Sequence, residues 1–361
     1  MKKYYFHLIV FSLILFFPIS IQELQGETKE QSPVYFIEEI SAENVVKIFQ
    51  MFSQDISGKT AIKVHFGEEG NTTYLPANLI KDLTLKLNAT LVETNVLYVS
   101  KRRYTESHIE LAKEHGFNFA PIDILDSEGD RELECSEGKH YSKVLVGDHF
   151  DNYDSYIIFS HFKGHGMAGF GGAIKNVSMG LAAVAGKMAL HASSIPNYNP
   201  ASCINCGLCV SECPENAITL NPVTIDPNKC IGCGKCIGVC PEYVFRVPWG
   251  STSKSVFLER LVEYAQVITK QKPMVFINVL ANITPGCDCL SSRQTPFVED
   301  IGILASTDIV ALENASHDLV DKKNKSNDSF LEINRVSGKN QIKYAAEIGL
   351  GNPDYKLIIL E

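Results

Sequence analysis

Apolar residues in the first part of the chain alternate between helical and strand spacing. A run at helical spacing after Ser41 predicts a helix capped by that serine. Residues 60–66 predict a strand, Pro76 predicts the start of a second helix, and the β-branched residues 89–99 predict another strand. A further helix is predicted around residues 108–115. This order predicts parallel strands joined by right-handed crossovers.

The alternation continues in the second half of the chain, which indicates an α/β protein with a mostly parallel sheet and flanking helices. The strands predicted here are residues 156–160, 274–283, 301–304 and 355–360. Helices are predicted over residues 176–190 and 308–319, and the polar run 321–329 predicts a surface loop.

One segment interrupts this alternation with cysteines, prolines and turn residues. We therefore divide the chain into a first α/β part over residues 32–198, an insert over residues 199–250 and a second α/β part over residues 251–361. The cysteine motifs described below predict that the insert is a small ferredoxin-like α+β unit.

The N-terminal residues 1–31 form a separate segment. Lys2 and Lys3 precede an apolar run, Tyr4 to Ile21, without a charged residue, and a polar linker follows. This pattern predicts a signal peptide or membrane anchor, so that the protein is exported or attached to a membrane through its N-terminus. A buried core helix is the alternative, and the protein is cytoplasmic if the segment is not a true signal.

Charge and cysteine content narrow the classes of partner. The 361 residues contain 33 basic and 42 acidic side chains, a formal net charge of −9, which argues against nucleic acid as a partner. Eight of the 11 cysteines lie between Cys203 and Cys240. Such local clustering requires a local explanation and argues against a disulfide framework, which spreads its bridges over a small secreted chain.

The clustered cysteines form an internal repeat. Each copy has three cysteines spaced by two residues and a fourth, followed by proline, four positions later. This spacing predicts two [4Fe–4S] clusters whose fourth ligands cross between the copies. The predicted ligand sets are Cys203, Cys206, Cys209 and Cys240 for one cluster, and Cys230, Cys233, Cys236 and Cys213 for the other. Zinc is the main alternative, but it takes four ligands and leaves cysteines of each copy surplus.

A second candidate site follows the strand 156–160, where His161, Lys163, His165 and Lys175 are interleaved with glycines. Backbone amides and the lysines could bind a carboxylate or phosphate, and the histidines could bind a metal or move protons. A G-x-G-x-x-G pattern from Gly164 is a weak dinucleotide signal without the expected acidic residue. A glycine turn with solvated lysines is the remaining alternative.

Cys287 and Cys289 follow the strand 274–283 and form a third candidate site. Residues one position apart on an extended strand direct both sulfurs to one side, which suits a metal, an additional cluster or a redox thiol pair. Two buried, unreactive cysteines are the alternative.

These motifs together resemble domain of unknown function family 362. The resemblance is carried by Ser160 to Asn176, Ala185 to Lys187 with His191, the Cys287-Asp288-Cys289 sequence, and Asp300 to Ser306 with Asp308. It implies an α/β fold and iron–sulfur binding, because members often carry a ferredoxin insert. It implies no substrate.

The sequence thus predicts an iron–sulfur redox protein, and three functions remain open. The first is an oxidoreductase that receives electrons from a redox partner protein or reductant and passes them to a small anionic substrate or metal at the second and third sites. The second is a non-enzymatic electron carrier. The third is a subunit that handles clusters or metals through Cys287 and Cys289.

Overall fold

A computed structural model of the chain describes residues 30–192 and 194–361. The predicted signal or anchor segment lies outside the described residues, apart from its last two. Within the described part of the chain, no helix combines the length and apolarity needed to cross a bilayer. Residues Gln31 to Glu361 form one compact unit.

The strands are, in chain order, β1 (Ser32–Ile37), β2 (Thr60–Lys63), β3 (Thr90–Glu93), β4 (Ile122–Ile124), β5 (Asp130–Glu134), β6 (Lys143–Gly147), β7 (Ser155–His161), β8 (Lys163–His165), β9 (Gly169–Gly171), β10 (Asn197–Tyr198), β11 (Ile218–Thr219), β12 (Thr224–Ile225), β13 (Phe245–Arg246), β14 (Met274–Leu280), β15 (Gly302–Ser306) and β16 (Tyr355–Ile359). The helices are α1 (Ala42–Phe49), α2 (Asn78–Leu87), α3 (Thr105–Glu114), α4 (Ala173–Leu181), α5 (Val184–His191), α6 (Leu208–Ser211), α7 (Lys235–Val239), α8 (Lys254–Thr269), α9 (Ile309–Asn324), α10 (Ser329–Asn334) and α11 (Lys339–Glu347).

Eight strands form the central sheet, in the order β16-β1-β15-β14-β7-β2-β3-β4. The pairs that β15 makes with β1 and β14 are antiparallel, and the other pairs are parallel. The predicted α/β class with a mostly parallel sheet is therefore confirmed. At the edge of the sheet, β16 was predicted but β1 was not, because no strand was expected at residues 32–37.

Helices cover both faces of the sheet because its central strands are apolar on both sides. In β7, Tyr156 and Ile158 pack into the core formed with α4, α8 and α9, whereas Ile157 and Phe159 pack into the core formed with α1 and α2. Such continuous apolar runs are typical of buried parallel strands. The predicted cap of α1 is also present, since the Ser41 hydroxyl accepts a hydrogen bond from the Asn44 N–H at 3.2 Å.

Three predicted elements differ from the structure. The helix expected over residues 176–190 is two helices, because the chain is extended at Ala182 and Ala183 and bonds to β6 there. The strand expected over residues 89–99 ends at Glu93. The surface loop expected over residues 321–329 is confined to residues 325–328, since α9 continues to Asn324 and α10 begins at Ser329.

The cysteine-rich segment folds into a small unit of short elements. β10 and β13, the first and last strands of this unit, pair with each other, and β11 pairs with β12. α6 and α7 each carry part of a cysteine motif. Its apolar core combines Cys209, Cys236 and Cys240 with two residues from the α/β body, Leu97 and Met188.

Candidate functional site

A cavity of about 780 Å³ lies at the carboxyl edge of the parallel strands. Lys63, Glu93 and His161 are the last residues of β2, β3 and β7, which are neighbours in the sheet, and all three line the cavity. Ligands of open α/β sheets bind at this edge. The predicted site residues His161, Lys163, His165, Lys175, Cys287 and Cys289 also line it. The structure thus brings the two predicted loops together in one cavity.

Gly164 is where the two loops meet. Its N–H donates to the Thr284 carbonyl at 2.8 Å, and a Cβ at this position would lie 2.1 Å from the Pro285 carbonyl oxygen. Only glycine therefore permits this contact. The glycine-rich segment forms the β8–β9 hairpin ahead of α4, so it lacks the strand, turn and helix arrangement of a dinucleotide site.

Cys287 and Cys289 lie in a turn rather than on the extended strand that we expected, because the Leu290 N–H bonds to the Cys287 carbonyl. The Cys287 sulfur accepts hydrogen bonds from the Cys289 N–H at 3.3 Å and from the Lys175 ammonium at 3.5 Å. The hydrogen bond from the Cys289 thiol, reinforced by Lys175 and Lys163, holds the pKa of Cys287 well below its usual range despite burial. Hydrogen bonding to Cys287 and burial raise the pKa of Cys289. The two donors at the Cys287 sulfur favour the thiolate there, with Cys289 as the protonated partner.

Asp288, between the two cysteines, faces the opposite way and is completely buried. It accepts from His161 Nδ1 at 2.9 Å and pairs with the Lys163 ammonium at 3.5 Å. Burial opposes its charge, but His161 and Lys163 hold the pKa of Asp288 well below its usual range. The other ring nitrogen of His161 bonds to the Ala281 carbonyl at 2.6 Å. Both nitrogens are thus occupied, so His161 positions the cysteine turn and offers no lone pair to a metal.

His165 is held in the neutral form. Its Nδ1 accepts from the backbone N–H groups of Met167 and Ala168, and burial together with Lys175 lowers the pKa of His165 well below its usual range. A neutral imidazole with Nδ1 as acceptor carries its proton on Nε2. His165 therefore acts as a hydrogen-bond donor rather than a cation.

Several cavity residues were not among the predicted site residues. They include four basic side chains, Lys63, His65, Arg102 and Lys187, beside Glu68, Glu93 and several uncharged residues. Lys63 and His65 could have been found, since they occupy alternate positions in an otherwise apolar strand sequence. Arg102 had no such signal, because its role depends on the loop that replaces the predicted strand after Glu93.

Basic side chains outnumber acidic ones in the cavity lining, where Lys63, Lys163, Lys175, Lys187 and Arg102 face only Glu68 and Glu93. Burial, together with Lys187 and Arg102, lowers the pKa of Lys63 to about 7 despite Glu93. Burial lowers the pKa of Lys187 to about 8, although Asp126 opposes the shift. Lowered lysine pKa values at strand ends indicate a site that gains a favourable partner when an anion binds.

The eight clustered cysteines fall into two groups of four. One small cavity is lined by Cys203, Cys206, Cys209 and Cys240. The other is lined by Cys213, Cys230, Cys233 and Cys236. None of these cysteines is in a disulfide. The two groups coincide with the crossed ligand sets that the repeat predicts.

The thiol groups suit a cluster better than a single ion. Around zinc, with sulfur at about 2.3 Å, neighbouring sulfurs lie about 4 Å apart. Among the described residues no three cysteine sulfurs lie within 4.8 Å of one another. Backbone donors also reach equivalent sulfurs in the two copies: the Ala217 N–H bonds to Cys213 at 3.2 Å and the Val244 N–H bonds to Cys240 at 3.4 Å. Thiolates supported by N–H groups are typical of iron–sulfur sites.

The arrangement of ligand atoms also bears on the metal predicted at Cys287 and Cys289. In the described part of the chain, the one group of three metal-type ligand atoms that lie close together is Glu128, Asp148 and His149. Among the residues that the structure describes, Cys287 and Cys289 belong to no such group.

Little more than α5 and one loop separates the cysteine unit from the large cavity. Lys187 and His191 of α5 line the cavity, while Met188 between them packs in the core with Cys209 and Cys236. Leu97 lines the cavity and also packs in the core of the cysteine unit. Trp249, just after the cysteine unit, also lines the cavity and contacts His191 with ring centroids 4.8 Å apart.

Comparison with protein families decides the relationship of this chain. A family profile described as Domain of unknown function (DUF362) matches residues 60–318. The chain belongs to the DUF362 family. The match spans both cavity loops and all eight clustered cysteines of this DUF362 protein. No curated protein matches the chain in sequence.

Two solved structures are similar at low identity. The lactate racemase apoprotein from Thermoanaerobacterium thermosaccharolyticum matches with 12% identity and a TM-score of 0.37, over 68% of this chain and 50% of that one. A Thermotoga maritima protein solved in a structural genomics programme matches with 8% identity and a TM-score of 0.40, over 80% of this chain and 60% of that one. The chain therefore spans only about half of the first structure and three fifths of the second.

Proposed function

We propose that this DUF362 protein is an iron–sulfur oxidoreductase that reduces or oxidises a small anionic substrate in the large cavity. Two [4Fe–4S] clusters, bound by the two crossed groups of four cysteines, exchange electrons one at a time with that cavity. The grouping of the eight sulfurs around two separate cavities is the observation that carries the proposal.

The cavity favours an enzyme over a simple electron carrier. A carrier needs only an exposed cluster and a docking surface, whereas this chain buries Lys63 and Lys187, and half-buries Lys175, around a space large enough for a small molecule. Burying lysines without using them is costly, since each charge loses its hydration. Substrate binding explains that cost, because an anion supplies the missing negative charge.

The position of α5 supports electron transfer between the two regions. This helix presents Lys187 to the cavity and Met188 to the cysteine unit, so a ligand beside Lys187 lies one helix away from the cluster-binding core. An electron therefore has no extended, water-filled gap to cross.

Anaerobic purification tests the proposal directly. The protein reconstituted with iron and sulfide should contain about eight irons per chain and a visible absorbance that dithionite bleaches. The reduced protein should then be reoxidised by a panel of small anions and of matched cations. Lys175→Met should keep the iron and the spectrum but lose the preference for anions, and Lys86→Met, at an exposed site on α2, is the control.

Two results would contradict the proposal. Colourless protein with stoichiometric zinc would exclude the clusters. A full cluster content with identical reoxidation of wild type and Lys175→Met by every compound would exclude the cavity as the substrate site.

A further inference from the structure

We infer that Cys287 and Cys289 are a dithiol–disulfide couple that stores an electron pair between the clusters and the substrate, and that the substrate is a small anionic disulfide. This inference rests on the proposed function and deepens it. It concerns the turn of Cys287, Asp288 and Cys289 on the cavity wall.

The geometry of the turn prepares one sulfur to attack and the other to resolve. The Cys287 sulfur accepts hydrogen bonds from the Cys289 N–H at 3.3 Å and from the Lys175 ammonium at 3.5 Å. A thiolate is the form that attacks disulfides, and a neighbouring thiol is the form that completes the exchange. Both sulfurs line the cavity, so a bound molecule can reach them.

Asp288 fixes the turn from behind without entering the cavity. It is fully buried and is held by the His161 ring at 2.9 Å and by Lys163 at 3.5 Å. Because this anchor sits between the two cysteines, the sulfurs stay adjacent in both redox states. A redox pair needs such a constraint so that attack of the second cysteine on the mixed disulfide is faster than attack by a thiol from solution.

The chemistry balances with thiol exchange alone. Cys287 Sγ attacks one sulfur of the substrate disulfide, and the departing thiolate takes the proton of Cys289. Cys289 Sγ then attacks Cys287 Sγ, so that the Cys287–Cys289 bond forms and the second substrate thiolate leaves. The protein disulfide is restored by two electrons, one from each reduced cluster, and one proton, which together regenerate the Cys287 thiolate and the Cys289 thiol.

The basic cavity selects the charge of the substrate. The Lys175 ammonium donates to the attacking sulfur of Cys287, and Lys63 and Lys187 line the same cavity. A disulfide with carboxylate arms is attracted to these groups, whereas a disulfide with ammonium arms is repelled. The reduced protein should therefore react at least about tenfold faster with dithiodipropionate, a dianion, than with cystamine, a dication of similar length.

Electron counting tests the couple apart from activity. Protein with its full iron content is oxidised with dithiodipropionate, freed of it and titrated anaerobically with dithionite. Wild type should accept about four electrons per chain and Cys287→Ser, which lacks the attacking sulfur, about two, with no change in iron content. Cys289→Ser should instead retain half of the substrate disulfide on Cys287, which mass analysis detects. Alkylation and mass analysis should find Cys287 and Cys289 protected before the titration and labelled after it. Cys135→Ser, outside the cavity, should behave as wild type.

The possible failures are distinguishable. An uptake of about two electrons in both wild type and Cys287→Ser, with about eight irons present, would overturn the couple and leave the proposed function standing. Metal beyond eight irons that is lost in Cys289→Ser would show that the pair holds a metal instead. Equal rates with the two disulfides would overturn the substrate class, and absence of clusters would overturn the inference together with the proposed function.

Discussion

Arg102 and Arg103 are adjacent in the chain but connect to opposite regions of the protein. The Arg102 guanidinium donates to Glu68 at 2.9 Å and to Glu93 at 3.3 Å, at the cavity. The Arg103 guanidinium donates to the carbonyls of Gly238 at 3.2 Å and Cys240 at 3.1 Å, at the end of α7. One short segment therefore links the ion-pair network of the cavity to the segment that carries a predicted cluster ligand.

Arg103→Met should loosen the cluster segment without disturbing the cavity. The carbonyls at the end of α7 lose their charged donor, which we expect to cost about 1–3 kcal/mol of unfolding free energy. Iron should also be released faster to a chelator, measured by absorbance under anaerobic conditions. Arg246→Met, an exposed arginine of the same small unit, is the matched control and should release iron at the wild-type rate. Equal release from both variants would contradict this role of Arg103.

Anion binding should be accompanied by proton uptake in a defined pH range. The pKa of Lys63 is lowered to about 7 and that of Lys187 to about 8, so both amines are partly or largely uncharged at pH near 8.5. A bound anion favours the charged form and raises both pKa values, so protons are taken up from the buffer. At pH near 6 both amines are already charged and uptake should vanish.

Calorimetry with malonate in buffers of different ionisation enthalpy measures this uptake. Lys63→Met should remove the part that Lys63 contributes, and Lys86→Met should leave it unchanged. The same uptake at pH near 6 as at pH near 8.5 would show that the cavity lysines do not respond to the anion.

How much of the site could be predicted depended on where each residue lies in sequence. His161, Lys163 and Cys287 follow apolar strands directly, and the rule that ligands bind at the carboxyl ends of parallel strands predicts their meeting. Lys187 and Arg102 were not predicted as site residues. Lys187 faces the cavity because the chain breaks at Ala182 and Ala183, and that break is set by a bond to β6 far away in the chain.

In the fold, too, some elements were predictable from local sequence and others were not. Central strands such as β14 are recognisable because every residue is apolar, and burial on both faces requires that pattern. The continuation of α9 through a polar sequence was missed because it depends on a contact with the next helix: the buried Asp321 side chain accepts the Ser329 N–H at 2.7 Å. Local polarity indicated a loop there, whereas this contact between α9 and the start of α10 stabilises the helix.

Glu313 should make stability fall between about pH 4.5 and pH 7. Burial raises its pKa to about 7, against 4.5 in an exposed carboxyl, so the native state binds more protons than the unfolded state in this range. The stability that the protonated form contributes is complete below the lower value and is lost as the pH rises through the upper one. Glu313→Gln keeps an acceptor for the Ile174 N–H, which bonds at 3.0 Å, but cannot ionise.

Denaturant midpoints of wild type and Glu313→Gln should therefore coincide more closely at pH 5 than at pH 8, where the variant should be the more stable protein. Glu332→Gln, at an exposed position of α10, is the control for loss of a carboxylate. A constant difference between wild type and Glu313→Gln across this pH range would contradict the raised pKa.

The crossing of the cluster ligands can be tested with two double variants that each remove two cysteines. Cys209 and Cys240 line the same small cavity, whereas Cys209 and Cys213 line different ones, although Cys213 is far closer to Cys209 in sequence. Replacing Cys209 and Cys240 by Ala should therefore destroy one cluster and leave about four irons per chain, while replacing Cys209 and Cys213 should destroy both. If each cysteine motif instead bound its own cluster, the two results would be exchanged. Iron analysis of the two proteins, reconstituted side by side, distinguishes the arrangements because the number of thiols removed is the same in both.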